Sequence, residues 1–348
     1  MTEKKLKEIL KHWEAYYQKK GLSTSFIAQC INYAEPILKQ DLPVIFDFKH
    51  LCMLLALDEN YLKSVIYGSQ AHYRTFEIPK RSGGSRRLSA PYYTLKYVQT
   101  WIYDHILSKV KVNYCAHGFR PNKSILTNAK VHVNNQYMLK VDLKDFFPSI
   151  TINQVIMIFR GLGYAPKVSF YLASICCLDN CLPQGAPTSP ALSNIIARHM
   201  DNRLLMLCKK KGYKYTRYAD DMAFSGNDVQ LGFVDYVKKI VSECHFTINE
   251  KKTKVYNGEG AKILTGLSLC NNRIRIPRGY RRNLELELYY IMKYGIGEHM
   301  RRKKIKKNNY IESLLGKVNY WLMIEPENLT ARSAHDYLNL LYRQKIRV

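Results

Sequence analysis

The stretch of sequence that decides the fold is residues 213–225, YKYTRYADDMAFS, in which two β-prone runs flank a pair of adjacent carboxylates. This pattern predicts a β-hairpin with Asp220 and Asp221 at its tip. Neighbouring like charges repel and raise each other's pKa, so the pair is costly unless water or a cation neutralises it. A solvated turn is the simpler interpretation of an isolated pair, but a formal net charge of +26 favours a functional site.

A second acidic position lies upstream, in residues 137–143, YMLKVDL. Apolar side chains alternate there with Lys140 and Asp142, which predicts a strand that carries Asp142 on its polar face, near its end. Pro148 should stop this strand, because proline cannot donate a hydrogen bond to a sheet. If the hairpin lies beside the strand, three carboxylates converge, and such hard oxygen ligands are those that Mg²⁺ requires.

The composition indicates a folded basic protein with a polyanionic partner, and nucleic acid is the first candidate. The 348 residues include 54 Lys and Arg against 28 Asp and Glu, and 47% hydrophobic residues suffice for a sizeable core. No apolar stretch approaches the length of roughly 18 residues that a membrane span needs. No secretory signal is recognisable either, so we expect a cytoplasmic protein without membrane association. Nine cysteines without a CxxC pair predict reduced, packed thiols instead of a zinc site.

Helical and basic segments surround the acidic strands. Apolar residues at three-to-four spacing in residues 1–75 predict helices, which Pro36 and Pro43 should break into short pieces. Residues 76–91 predict a basic β-hairpin around two glycines. Residues 273–307 contain twelve Lys or Arg against three Glu on helical patterning, which predicts a separate basic helical module.

Taken in order along the chain, these segments resemble the sequence motifs of reverse transcriptases. Tyr218-Ala219-Asp220-Asp221 is similar to their YxDD box. The other matching segments are motif A at Asp142 and 146–149 (FFPS), motif B at 182–190 (LPQGAPTSP), motif D at 249–253 (NEKKT), and two fingers motifs at 78–99 and 116–133. The resemblance covers about residues 78–270.

This resemblance implies an α+β fold, that of a right-hand polymerase with fingers, palm and thumb. It divides the chain into an N-terminal helical extension over residues 1–75, fingers and palm over residues 76–270, and a basic helical, RNA-binding thumb over residues 271–348.

Two further boxes are similar to those of the retron reverse transcriptases of bacteria. Residues 128–132 (NAKVH) match an NAxxH box, and residues 264–266 (LTG) resemble a VTG box in which leucine replaces valine. Without the other motifs, Asn128 and His132 would simply be neighbours on one helix face. The predicted RNA-binding residues are these boxes together with the basic cluster of the thumb: Asn128, His132, Leu264, Thr265, Gly266, Arg301, Arg302, Lys303 and Lys304.

The resemblance implies an RNA-directed DNA polymerase that uses dNTPs to copy its own structured non-coding RNA. Synthesis would start from a 2′-hydroxyl in that RNA and yield a branched RNA–DNA molecule, msDNA. The resemblance also implies a role in antiphage defence, with an effector protein as a partner and a host RNase H to remove template. Two alternatives stay open: a defence reverse transcriptase with protein-primed or untemplated DNA synthesis, and a catalytically idle structural RNA-binding subunit.

The chemistry of strand extension predicts a metal-binding role for each acidic residue. A 3′-hydroxyl attacks an α-phosphate, and two Mg²⁺ ions about 4 Å apart, with Mn²⁺ as the alternative metal, stabilise the attacking and leaving oxygens. We expect Asp142 and Asp220 to be bridging ligands and Asp221 to be more peripheral. The carbonyl of Leu143 is a candidate backbone ligand.

Candidates for the nucleotide site come from the basic hairpin and from motif A. Lys80 and Arg86 would hold the triphosphate, with general surface charge as the simpler alternative. By resemblance, Phe147 lies beneath the sugar and excludes a 2′-hydroxyl. A core phenylalanine is the alternative for Phe147 and the favoured interpretation for Phe146.

Motifs B and D add three further nucleotide-binding candidates. Gln184 is placed near the ribose or base by resemblance, and Gly185 would let the backbone approach the nucleotide. A helix should follow, with Ser189 as its cap and Pro190 in its first turn. Lys252 is expected to donate toward the leaving pyrophosphate, unless it belongs to a solvated turn.

Overall fold

The structure is a computed structural model that describes residues 2–80, 83–228, 231–258 and 260–346. The helices are α1 (Glu3–Lys19), α2 (Thr24–Lys39), α3 (Phe48–Leu55), α4 (Glu59–Tyr67), α5 (Tyr93–His105), α6 (Ile125–His132), α7 (Ile152–Gly161), α8 (Pro166–Cys176), α9 (Ser189–Ile196), α10 (Arg198–Lys211), α11 (Leu231–Glu243), α12 (Arg278–Tyr294), α13 (Ile296–Arg302), α14 (Tyr310–Ile324) and α15 (Leu329–Ile346). The strands are β1 (Tyr73–Pro79), β2 (Ser85–Pro91), β3 (Tyr137–Asp142), β4 (Lys214–Tyr218), β5 (Asp221–Gly226), β6 (Lys254–Tyr256), β7 (Lys262–Leu264), β8 (Leu267–Cys270) and β9 (Arg273–Arg275). Helices packed on small antiparallel sheets make an α+β fold, which confirms the predicted class.

The N-terminal segment is helical as predicted, but Pro36 does not break a helix. It lies near the end of α2, where a proline costs one backbone hydrogen bond and the helix has only three residues left to run. The side-chain amide of Gln40 donates to the Pro36 carbonyl at 3.0 Å and helps to close this last turn. Pro43 lies in the irregular segment after α2, as expected.

A four-stranded antiparallel sheet in the order β4-β5-β3-β6 carries the acidic residues. Leu139 and Val141 of β3 pack into the main hydrophobic core, as the alternation predicts. Met138 on the opposite, nominally polar face is also fully buried, in a second core that includes Ala223 of β5. The sheet is therefore covered on both faces, and the acidic side chains lie at one end of it.

The predicted basic hairpin is present as a separate two-stranded sheet, and it begins earlier than expected, at Tyr73. Residues 81 and 82 at its turn lie outside the described residues. The backbone N–H of Ser89 in β2 donates to the carbonyl of Gln184 at 2.8 Å. This hydrogen bond joins the hairpin to the loop before α9.

The C-terminal region contains a three-stranded sheet, β7-β8-β9, and the helices α12–α15. The prediction of helix was wrong for residues 273–275, which form β9, because alternation turns Ile274 inward between two exposed arginines. The second core joins Leu284 and Trp321 to Met138 of β3, so this region packs directly on the main sheet and is not a detached module. The division at residue 270 stays a prediction, and the β8–β9 pairing crosses it.

All nine cysteines are free thiols, and five of them are buried. Within the described ranges, no helix combines the length and the apolarity that crossing a bilayer requires.

Candidate active site

The acidic pair lies at the tip of the β4–β5 hairpin, which confirms the predicted geometry. Tyr218 pairs with Asp221, so that Ala219 and Asp220 alone make the turn. Ala219 adopts a left-handed backbone conformation with φ of 56°. The N–H of Leu143 donates to the carbonyl of Asp220 at 2.9 Å, which fixes the turn to the end of β3.

Asp142 is the residue directly opposite Asp221 in the β3–β5 pairing, so the three carboxylates converge as expected. Burial, followed by the charges of Asp221 and Asp142, raises the pKa of Asp220 to about 6. Burial is also the largest cause of the raised pKa of Asp221. Negative charge is therefore concentrated where water cannot fully solvate it, which favours a bound cation.

Two lysines now supply the positive charge at this site. The ammonium of Lys252 lies 3.0 Å from both carboxylate oxygens of Asp142, which is only 6% exposed. The ammonium of Lys140 lies 3.1 Å from Asp221. As the side chains stand, no three His, Cys, Asp or Glu residues in the described part of the chain are arranged to hold a metal ion. Two of the three carboxylates, those of Asp142 and Asp221, are paired with these ammonium groups.

Lys252 contacts Asp142, and its role at the leaving pyrophosphate stays a prediction. Its neighbour Asn249 also contacts Asp142, since the Asn249 amide donates to one carboxylate oxygen at 3.2 Å. The backbone N–H of Asn249 donates to the Asp142 carbonyl at 2.8 Å. Motif D thus holds Asp142 from two sides, a contact that the sequence alone did not reveal.

A close backbone contact requires glycine at position 185, and its predicted role at the nucleotide stays a prediction. Gly185 has φ of 127°, and a Cβ added there would lie 2.8 Å from the carbonyl oxygen of Ser89. The glycine is therefore required by the close approach of β2, whatever it does for a nucleotide. Its neighbour Gln184 is half-buried and bonds to the same strand through its carbonyl.

The start of α9 also differs from the prediction. Ser189 is its first residue and not its cap, because the Ser189 hydroxyl donates to the carbonyl of Pro183 at 2.8 Å. Thr188 occupies the cap position, and Pro190 lies in the first turn as expected.

The other nucleotide candidates remain accessible. Lys80 and Arg86 are exposed on the basic hairpin. Phe147 is half-buried, with its ring centroid 6.0 Å from Phe119 and 5.5 Å from Phe146. Phe146 is buried in the core, as favoured for it.

Comparison with known proteins decides the family. Residues 78–283 match the family model described as reverse transcriptase (RNA-dependent DNA polymerase). The chain belongs to the reverse transcriptases. This enzyme is therefore an RNA-directed DNA polymerase with the palm, fingers and thumb fold that its sequence predicts.

Curated relatives of this reverse transcriptase place it among the retron type, as the sequence predicts. It is 33% identical to the retron Ec86 reverse transcriptase of Escherichia coli over 267 residues, and this alignment covers 75% of this chain and 83% of that protein. The retron Mx65 enzyme of Myxococcus xanthus is 40% identical over 63% of this chain and 56% of its own length. The retron Ec73 enzyme of Escherichia coli is 31% identical over 79% of this chain and 88% of its own length. A solved telomerase from Candida albicans aligns with 76% of this chain and 62% of its own at 11% identity and a TM-score of 0.44, which is too low to support an inference.

Direct RNA contact by Asn128 and His132 of this reverse transcriptase is contradicted by their burial, at 1% and 0% exposure. The His132 ring lies 2.6 Å from the Ser225 hydroxyl and 2.7 Å from that of Thr216. The Thr216 hydroxyl donates in turn to the Asn128 side chain. These polar groups fasten α6 to the hairpin that carries the catalytic candidates, and their polar atoms are inaccessible to RNA.

The second box of the reverse transcriptase is a turn. Leu264 and Leu267 pair, and Thr265 and Gly266 between them have φ of 45° and 81°, the conformation that two-residue hairpins favour. Leu264 is fully buried, which contradicts its predicted contact with RNA. Gly266 is exposed and Thr265 is half-buried.

The basic cluster at residues 301–304 is exposed, as an RNA-binding surface must be. Arg301 and Arg302 both pair with Glu298, at 2.6 and 2.7 Å, while remaining largely accessible. Exposed ion pairs of this kind contribute little to stability, so these arginines remain available to phosphates.

One feature of the reverse transcriptase was not predicted from the sequence. Arg217, within β4, is fully buried and paired with the fully buried Asp201 of α10. The available signal was that Arg217 shares a strand face with the aromatic Tyr215, because a charge on a buried face needs a partner.

Proposed function

We propose that this retron-type reverse transcriptase synthesises DNA by two-metal phosphoryl transfer, with Asp142, Asp220 and Asp221 as the metal ligands and Mg²⁺ as the metal. The observation that supports it is the convergence of three carboxylates at the end of β3 and β5, with Asp220 held at a pKa of about 6 by burial and by its two neighbours. Such a cluster is unfavourable without a cation, and carboxylate oxygens suit Mg²⁺ or Mn²⁺.

The three carboxylates would supply oxygen donors to two divalent ions once the lysine contacts to Asp142 and Asp221 are released. Asp142, Asp220 and Asp221 would hold the ions, and the carbonyl of Leu143, the residue after Asp142, would be a further oxygen ligand. When bound, the ions supply charge stabilisation to the attacking 3′-oxygen and the leaving phosphate oxygen. Lys252, which now neutralises Asp142 at 3.0 Å, would be freed to donate toward pyrophosphate.

The nucleotide would lie between this cluster and the basic hairpin. Lys80 and Arg86 are exposed cations on that hairpin, which is bonded to the loop of Gln184 through Ser89. These cations would hold the triphosphate, and the half-buried ring of Phe147 would lie against the deoxyribose. Gln184 would contact the ribose or base.

We further propose that the template is a cognate structured non-coding RNA and that the product is a branched RNA–DNA molecule, msDNA, made in the cytoplasm for antiphage defence. The named relatives support this proposal, since all three are retron reverse transcriptases. The exposed cations of residues 301–304 would bind the RNA backbone. An effector protein and a host RNase H would be the further partners.

Metal binding tests the active-site proposal independently of activity. Binding of Mn²⁺ to the free enzyme, followed by electron paramagnetic resonance, should weaken roughly tenfold or more in Asp142→Asn, since even loss of a group that supports a metal ligand costs that much. Asp235→Asn, which alters an exposed carboxylate of α11, is the matched control and should bind as the wild type does. Equal affinity in the wild type, Asp142→Asn and Asp235→Asn would refute the assignment.

The nature of the product tests the RNA proposal. Nucleic acid that copurifies with the enzyme should yield labelled DNA when labelled dNTPs are added. The gel mobility of this DNA should change after treatment with RNase. A label attached to the protein would indicate protein priming instead.

A further inference from the structure

Arg217 makes a larger set of contacts than an ion pair requires. Its guanidinium donates to both carboxylate oxygens of Asp201, at 2.8 and 2.7 Å. Its remaining terminal nitrogen donates to the side chain of Asn194 and to the carbonyl of Ala219, each at 3.1 Å. All three side chains are at most 1% exposed. Burial opposes the charge of Arg217, but the charge of Asp201, its hydrogen bonds and smaller contributions from Tyr215 and Cys115 together raise the pKa of Arg217, so the guanidinium stays charged.

The Ala219 carbonyl is the informative contact, because Ala219 precedes the metal-ligand candidate Asp220. The two carbonyls that flank the Asp220 Cα are both fixed: that of Ala219 by Arg217, and that of Asp220 by the N–H of Leu143. The left-handed conformation of Ala219 is costly for a residue with a Cβ and persists only where neighbouring groups determine it.

The same guanidinium connects the segments around the site. Asn194 belongs to α9, which begins within motif B, and its amide donates to the carbonyl of Gly118 at 2.9 Å. Gly118 packs so closely on the turn that an added Cβ would lie 2.7 Å from the Ala219 nitrogen. The Phe146 ring of motif A lies 5.8 Å from the Arg217 guanidinium. Arg217 thus contacts Ala219 of the YxDD box, Phe146 of motif A and Asn194 of α9.

We propose that Arg217, held by Asp201 and Asn194, is a positioning residue that sets the Ala219–Asp220 turn and so the place of the Asp220 carboxylate. The proposal rests on the proposed role of Asp220 as a metal ligand. A buried ion pair is poor evidence for stability, since desolvation offsets much of its attraction. The planar guanidinium of Arg217 can instead fix Asp201, Asn194 and the Ala219 carbonyl in one geometry, which a lysine ammonium cannot do.

The test compares Arg217→Lys and Asn194→Ala with Tyr215→Phe. Arg217→Lys keeps a cation beside Asp201 but cannot also reach Asn194 and the Ala219 carbonyl. Asn194→Ala leaves the ion pair intact and removes one support. The control Tyr215→Phe removes a hydrogen bond to Asp201 within the same network without touching the turn.

The measurements are kcat and the KM for dNTP on a preannealed RNA template with a DNA primer, Mn²⁺ affinity of the free enzyme, and unfolding by urea. For Arg217→Lys we expect kcat to fall roughly 10- to 100-fold, as misplacement of a reacting group by about 1 Å does. Mn²⁺ affinity should weaken in parallel, KM for dNTP should stay within about twofold, and added Mn²⁺ should restore part of kcat. Asn194→Ala should show smaller changes in the same direction, and Tyr215→Phe only a loss of stability.

The proposal is overturned if folded Arg217→Lys and Asn194→Ala keep wild-type kcat and Mn²⁺ affinity, or if kcat falls only by the unfolded fraction. If Arg217→Lys does not fold, Asn194→Ala decides. Asp220→Asn distinguishes a failure of the positioning proposal from a failure of the metal assignment. If that variant is inactive while the positioning variants behave as wild type, only the present proposal fails; if it retains activity and Mn²⁺ affinity, the metal assignment fails as well.

Discussion

The burial of His132 makes the stability of this enzyme depend on pH in a predictable direction. Burial, with smaller contributions from the charges of His117 and Lys214, lowers the pKa of His132 to about 3. In the unfolded chain the ring regains an ordinary pKa of about 6.5. Between these values the unfolded state binds the additional proton, so the free energy of unfolding must fall as the pH is lowered below about 6.5.

The size of the effect follows from the same two values. One pKa unit corresponds to about 1.4 kcal/mol, so His132 alone should remove about 2 kcal/mol of stability between pH 7 and pH 5. The variant His132→Gln has no proton to take up and should lack this contribution. At pH 7 it should already be about 1–3 kcal/mol less stable, because the hydroxyls of Ser225 and Thr216 lose a partner in the interior.

Urea unfolding at pH 5, 6, 7 and 8 measures both effects. His117 is present in the wild type and in His132→Gln, so the difference between their pH profiles isolates His132. The control His12→Gln changes an exposed histidine of α1 and should follow the wild type. A His132→Gln profile that parallels the wild type between pH 7 and pH 5 would show that the buried ring does not titrate as inferred.

Three further outcomes follow from the structure. Gly118→Ala should lower the free energy of unfolding by about 1–3 kcal/mol and impair DNA synthesis, because the new Cβ meets the backbone of Ala219. The control Gly161→Ala, whose Cβ enters open space, should be neutral or slightly stabilising, and equal urea midpoints for the two variants would contradict this. Phe147→Ala should admit ribonucleotides much more readily in single-nucleotide incorporation, and unchanged discrimination in a folded variant would make Phe147 a core residue only. Neutralising the four cations at 301–304 should weaken binding to structured RNA and reduce the slope of its salt dependence by roughly 0.7–0.9 log unit for each phosphate that is no longer neutralised. Extension of a plain preannealed primer at saturation should stay almost normal. An unchanged salt slope would mean that these charges face no phosphate.

The acidic hairpin could be predicted because its signal is local. Alternation of side chains and a two-residue turn between β-prone runs suffice to place Asp220 and Asp221 at a tip, and the strand of Asp142 is recognisable in the same way. Their convergence followed from the resemblance to reverse transcriptases, and the pairing of Asp142 with Asp221 confirms it.

Contacts between distant segments could not be predicted. The pairing of Lys252 with Asp142 joins residues 110 positions apart, and that of His132 with Ser225 joins residues 93 apart. Nothing in the local pattern around His132 distinguishes a ring that faces RNA from one that faces the core. Arg273–Arg275 was misjudged for the same reason, since three residues become a strand only because β8 lies beside them.

Extension of a DNA primer on an RNA template by Asp220→Asn, with Mg²⁺ as the only metal, tests the central claim most directly. The substitution keeps the shape of a side chain in a turn, so RNA affinity and the urea midpoint should stay near those of the wild type. We expect no extension above background from Asp220→Asn and normal extension from the control Asp235→Asn. Extension by folded Asp220→Asn within about tenfold of the wild-type rate, a difference of only about 1.4 kcal/mol in the barrier, would contradict the assignment of this carboxylate as a catalytic metal ligand.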